Sequence, residues 1–229
     1  MPFREFRDVG EAVVEGRVTA GVLPVENSIA GSVGPAYDVL ISLPLRVVGE
    51  VVRPIRHCLL GVAGASLEGL RRAVSHPVAL AQCTDFLRSR PGVEAVAVYD
   101  TAGAAREVAA AGDRGVAAIA SRLAGERYGL EMLAADIQDR DDNQTRFYAV
   151  AREDAAVRSA SAGERWKTAV VLETRNRPGA LVAVLRVFAG HGINLTKLES
   201  RPGAEPWSYR FILELVSADP GAESAAMVE

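Results

Sequence analysis

Cysteine is scarce in this chain. Its 229 residues include two, Cys58 and Cys83, too few for a disulfide framework and in keeping with a reducing compartment. Long apolar runs are missing too, and no uncharged stretch approaches the roughly 18 residues of a membrane-spanning helix. Met1-Pro2-Phe3-Arg4-Glu5 lacks the basic-then-apolar pattern of an export signal, so the expected location is the cytoplasm, with no membrane partner. Nor is there a basic excess. A formal net charge of −3 argues against nucleic acid as a general partner. The three histidines, His57, His76 and His191, take no metal-ligand spacing with the cysteines, so no metal is expected. Neither 61–64 nor 112–115 makes a phosphate or dinucleotide loop, lysine is nearly absent from the N-terminal part, and no nucleophile elbow occurs. Cys83 reads as a small core residue rather than a nucleophile.

What is present is ordinary globular material, 49% hydrophobic and 24% charged, enough for one large domain or two smaller ones. Strand-like runs at 20–23, 45–52, 58–62, 93–98, 116–119 and 146–150 alternate with helix-like stretches at 5–15, 32–41, 77–88, 101–110 and 121–128. That order predicts an open α/β sheet with helices on its faces. Residues 151–164, rich in Ala, Ser, Arg and Glu without a period, read as a linker. Beyond it, strand patterns at 166–173, 193–199 and 209–216 with a helix at 179–190 give β-α-β-β, the opening of a ferredoxin-like unit. Residues 219–229 offer little to bury, so the unit reads as incomplete.

Chemistry-bearing residues gather at strand-to-helix junctions. Pro24-Val25-Glu26-Asn27-Ser28 runs into Gly31-Ser32-Val33, Ser75-His76 precedes Pro77, and Asp100 and Ser121 each precede a helix. Such turns collect at the carboxyl edge of an α/β sheet, where helix N-termini attract small anions. The plainer reading is that these residues only cap helices. The tightest cluster is Asn143-Gln144-Thr145-Arg146-Phe147. A hydroxyl beside a guanidinium there puts a proton donor next to a carboxylate clamp, unless the segment is only a polar turn before a strand.

These segments, in this order, resemble the prephenate dehydratase family over nearly the whole chain. The resemblance rests on 21–28 with Gly31-Ser32-Val33, Ile55-Arg56-His57, 75–83, 100–105, 117–121, Ile137-Gln138-Asp139 and the Thr145-Arg146-Phe147 signature. Arg177-Pro178-Gly179-Ala180-Leu181 and Glu199-Ser200-Arg201-Pro202 resemble the phenylalanine-binding motifs of that family's ACT module. The resemblance implies a two-lobed, periplasmic-binding-protein-like α/β catalytic domain at 1–152, a linker at 153–164 and an α+β ferredoxin-like ACT domain at 165–229. It implies a cofactor-free lyase that converts prephenate to phenylpyruvate, carbon dioxide and water. Thr145 would assist departure of the ring hydroxyl and Arg146 would bind a carboxylate. Glu26, Asn27, Ser28, Ser75, Gln82 and Phe147 would line the pocket. L-phenylalanine as effector would sit at Gly179, Ala180, Leu181, Glu199, Ser200, Arg201 and Pro202, in a homodimer or homotetramer.

The family's glycine-rich Gly-Pro-x-Gly-Thr-Phe opening has no counterpart here, so the chain is expected to start about one strand-helix-strand late. Three other readings remain: a non-catalytic homologue that binds an aromatic amino acid or prephenate-like anion, arogenate dehydratase, and a solute-binding protein, the last disfavoured for want of an export signal.

Overall fold

The computed structural model describes residues 1, 3–156, 166–203, 205–217 and 225–227. In chain order it forms α1 (Phe6–Val14), β1 (Gly21–Asn27), β2 (Gly31–Ser32), α2 (Gly34–Ser42), β3 (Leu45–Pro54), β4 (Cys58–Gly61) and β5 (Arg72–Ser75). There follow α3 (Pro77–Ala81), α4 (Thr84–Arg88), β6 (Glu94–Ala97), α5 (Thr101–Ala111), β7 (Val116–Ala120), α6 (Arg122–Tyr128), β8 (Glu131–Ala134) and β9 (Gln144–Arg152). The last elements are β10 (Trp166–Glu173), α7 (Ala180–Gly190), β11 (Asn194–Pro202) and β12 (Tyr209–Ser217). The chain forms two compact units, one of Met1–Val22, Pro35–Gly49 and Ala149–Glu229, the other of Leu23–Gly34 and Glu50–Tyr148. A four-stranded sheet is ordered β2-β1-β9-β3.

The second unit carries a five-stranded sheet ordered β6-β5-β7-β4-β8. β5 runs parallel to β6 and β7, and β4 runs antiparallel to β7 and β8. Both faces are covered, which explains why its strands read as continuous apolar runs. Leu60, Ala118 and Ala120 meet Ala104, Ala105 and Val108 of α5 and Ala124 of α6 on one face. Leu59, Ala117 and Ile119 meet Cys83 and Ile137 on the other. Alternate strand residues point to opposite faces, and small alanines let the helices approach closely. Asp100 and Ser121 cap α5 and α6 at their starts, while Gly112 and Gly129, both in the left-handed region, end them, the usual polar-start, glycine-end asymmetry.

In the first unit α1 packs without a side chain at Gly10, where an added Cβ would lie 2.6 Å from Val39 Cγ1 of α2. The C-terminal sheet, ordered β10-β12-β11, is antiparallel. One face meets α7 through Phe188, Leu213 and Leu215. The opposite face is polar and lies against α2. Tyr37 Oη donates to the buried Glu214 at 3.3 Å, Lys197 stands 5.0 Å from the Tyr37 ring centroid, and Arg201 holds both oxygens of Asp38 at 2.8 Å.

Several expectations change. The single helix expected at 77–88 is two, α3 and α4, because the Asp139 carboxylate takes the amides of Thr84 and Asp85, both at 2.9 Å, and starts a new helix. β2, β5 and β8 lay outside the expected strands. The tail is not empty: residues 225–227 are helical, and Ala226 is buried in the cluster under α7. The linker at 157–164 and tail positions 218–224 and 228–229 lie outside the described residues.

Candidate active site

The signature segment enters β9 beside the end of β1, and two groups of side chains form there. The first is neutral. Asn27 Nδ2 donates to Asn143 Oδ1 at 2.7 Å, Thr145 Oγ1 at 3.0 Å and the Gln144 carbonyl at 3.1 Å. Its Oδ1 accepts the amides of Ile29 and Ala30 at 3.0 and 2.9 Å, an Asx turn that settles which amide atom faces which way. Ser28 ties the same strand end together: its amide donates to the Gln144 carbonyl at 2.8 Å, and its Oγ accepts the Gln144 amide at 2.9 Å. Thr145 therefore receives a hydrogen bond on oxygen, and its own O–H is left to donate.

The second group is charged. Arg146 Nη2 pairs with Glu26, and Nη1 with Glu50 at 3.0 Å; the guanidinium also stands 5.5 Å from the Tyr148 ring centroid. The arginine side chain is only 13% exposed. The expectation of hydroxyl and guanidinium side by side is thus corrected. Neighbouring residues of a strand point to opposite faces, so Thr145 goes with Asn27, and Arg146 with Glu26 and Glu50. Phe147, half-buried, alternates to the Thr145 side.

The other expected pocket residues belong to the five-stranded sheet and its connections. Ser75 is fully buried and donates to the Ile119 carbonyl at 2.6 Å. Gln82 Oε1 meets His57 Nε2 at 2.9 Å, and the Gln82 carbonyl accepts the Asp139 amide. The β3–β4 and β8–β9 connections are laced together: Ile55 N–H to the Asn143 carbonyl, Ile137 N–H to the His57 carbonyl, His57 N–H to Gln138 Oε1. Arg56 draws the Asp141 carboxyl below its ordinary range through a hydrogen bond, and Arg140 does the same to Asp142.

Two junctions prove to be plain caps. Asp100 accepts from Ala102 and Gly103, and Ser121 from Ala124, so their helix N-termini are already occupied. Burial, helped by Asp139, pushes the Cys83 thiol up to about 12, which suits a core residue and not a nucleophile. Among the described residues no group of histidine, cysteine or carboxylate side chains could hold a metal ion. Glu50, Tyr148 and the acceptor side of Asn143 were not foreseen, and His57 stood only among the residues of the resemblance; Glu50 lies in a strand run whose pattern gives no sign of its pairing with Arg146.

In the C-terminal sheet the expected effector residues divide. Gly179 caps α7 with φ of 81°, placing Ala180 and Leu181 at that helix's start. Register and alternation put Ser200 on the α7 side, while Glu199 and Arg201 share the Glu214 face, where Arg201 binds Asp38.

An α/β body followed in sequence by a sheet-and-helix module is the architecture these elements define. Residues 1–155 match the family model for prephenate dehydratase, and 168–224 match that of the ACT domain. The chain belongs to the prephenate dehydratase family. It is 46% identical over 202 residues to arogenate dehydratase/prephenate dehydratase 2 of Arabidopsis thaliana, covering 88% of this chain and 52% of that protein. A prephenate dehydratase from Arthrobacter aurescens, solved in complex with L-Phe, superposes with a TM-score of 0.89 at 31% identity, over 100% of this chain and 76% of that one. GqqA, described as a novel type of quorum-quenching acylase, superposes at 0.86 with 35% identity, over 99% and 82%. The chain spans about half the length of the curated relatives it matches.

Proposed function

We propose that this chain catalyses the decarboxylating dehydration of prephenate to phenylpyruvate, with L-phenylalanine acting through the ACT module. The reading rests on the bond from Asn27 Nδ2 to Thr145 Oγ1. Prephenate loses its ring carboxylate as carbon dioxide and its ring hydroxyl as water, with one proton taken up. Aromatisation drives the reaction, so the protein has to orient the substrate and ease hydroxide departure. A threonine is too weak an acid to give up its proton outright. Its O–H, aimed by Asn27, donates a hydrogen bond to the departing oxygen as charge grows there. Solvent supplies the proton.

Arg146, the expected carboxylate ligand, points to the opposite face of β9 from Thr145 and its donors are engaged by Glu26 and Glu50, so its proposed part is to hold the strands that carry Asn27 and Thr145 in register. Glu26 and Ser28 hold the strand end, while Ser75, Gln82 and Phe147 shape the surroundings. The ACT module works as part of a homodimer or larger assembly.

The likeness to GqqA raises acyl transfer as a second reading. It is weaker, because the Cys83 thiol is held protonated and Ser75 spends its proton on a backbone carbonyl. Incubation with prephenate and, separately, arogenate, with phenylpyruvate read by absorbance and phenylalanine by chromatography, tests the proposal. Phenylpyruvate is expected. No product from either substrate would overturn the dehydratase reading, and product from arogenate alone would move it to the aminated substrate.

A further inference from the structure

Asn143 is 1% exposed, and its Nδ2 has no hydrogen-bond partner. Its orientation is not free to change. Asn27 is held by two backbone amides on its oxygen, so it must present its N–H2 outward, and Asn143 must answer with Oδ1. The Asn143 amide nitrogen is thereby turned away with two hydrogens unused. A buried donor left so is costly, and such an orphan calls for an explanation, an acceptor that arrives with a ligand being one. Asn143 Oδ1 and Thr145 Oγ1 both lie within 3.0 Å of one nitrogen.

We infer that the Asn143 side-chain amide is a second catalytic donor, hydrogen-bonding the same departing hydroxyl oxygen as Thr145. This rests on the dehydratase reading and deepens it. One Asn27 side chain then sets both donors at once, accepting nothing from either and leaving a hydrogen on each for the leaving group. Two neutral donors on one oxygen spread the growing charge without adding a cation to the site.

Asn143→Asp tests this. It keeps an oxygen for Asn27 and replaces the N–H2 by a carboxyl oxygen that donates only when protonated. Loss of one such donor is expected to lower kcat by roughly 10²-fold at neutral pH. Activity should return as pH falls and the carboxyl gains its proton, a limb absent from wild type and from Asn143→Ala. Near-wild-type kcat in Asn143→Ala, with wild type active, would overturn the inference and leave the dehydratase reading intact. Failure of wild type to turn over prephenate would sink that reading instead. In that event the side-chain 15N amide signal of Asn143, identified by its loss in Asn143→Asp, decides: movement on adding prephenate supports a ligand-facing donor, and an unmoved signal removes it.

Discussion

Replacing Thr145 by valine keeps the shape of the side chain and deletes one hydroxyl, so the structural and chemical consequences can be separated. Asn27 Nδ2 carries two hydrogens and faces three acceptors, at 2.7, 3.0 and 3.1 Å. Loss of the middle one still leaves an acceptor for each hydrogen, Asn143 Oδ1 and the Gln144 carbonyl. The stability cost should therefore stay below about 1 kcal/mol, a fall in Tm of at most about 4 °C for a chain of this size. The kinetic cost is set differently. A preorganised donor aimed at developing negative charge accounts for about 10²–10³ in kcat, or about 3–4 kcal/mol. Because that bond strengthens only as the hydroxyl departs, KM should change little. Thr145→Ser keeps the donor and should retain most of the activity. Steady-state kinetics on prephenate with thermal unfolding of the three proteins reads all of this. A valine variant with wild-type kcat, or one whose kcat loss tracks a collapse in Tm, would refute the assignment.

Arg146→Lys keeps the charge but loses the planar fork that serves Glu26 and Glu50 together, so the strand end that carries Thr145 should loosen and kcat/KM should fall by at least about tenfold; an unchanged value would exclude a role for the two-sided pairing. Cys83 should resist iodoacetamide in the native protein at pH 8 and react on unfolding, since its thiol is raised from 9.0 to about 12. The sign follows from linkage: the native state holds a proton that the unfolded state sheds, so this stabilisation is present below pH 9 and is lost as pH rises through the native value. Native-state alkylation at pH 8 would contradict it. L-phenylalanine should bind with measurable heat to a dimer or larger species. Tyr37→Phe, which removes the hydrogen bond from α2 to Glu214, should weaken inhibition more than effector binding; equal loss of both would deny a coupling role to that contact.

How far the sequence could be read differs from element to element. β10 and β12 were legible almost to the residue, because long runs of Val, Leu, Ile and Phe bounded by polar residues admit few alternatives. The break between α3 and α4 was not, since its cause, Asp139, lies 55 and 54 positions away from the amides it caps. β5 and β8 are four residues each and owe their pairing to neighbours rather than to their own pattern. In the site, the residue types and their order were legible, and the family followed from them. The partnership of Asn27 with Thr145 spans 118 positions, beyond any local spacing rule. That Thr145 and Arg146 face opposite ways was within reach, since adjacent strand positions always do. The polar Glu214 face was hidden for a related reason: a carboxylate in an apolar strand looks like an exposed position until Tyr37 and Lys167 are seen beside it.

The central claim is that Asn27 and Thr145 act as one device, the amide fixing where the hydroxyl proton points. Asn27→Asp keeps an oxygen for Ile29 and Ala30 but turns the donor into an acceptor, so Thr145 would spend its proton on the aspartate. A double-mutant cycle of kcat for Asn27→Asp and Thr145→Val on prephenate measures this dependence most directly. Each single variant should lose about 10²-fold or more, and the double variant should be no slower than the worse single one. Losses that multiply in the double variant would show the two residues acting independently and contradict the account.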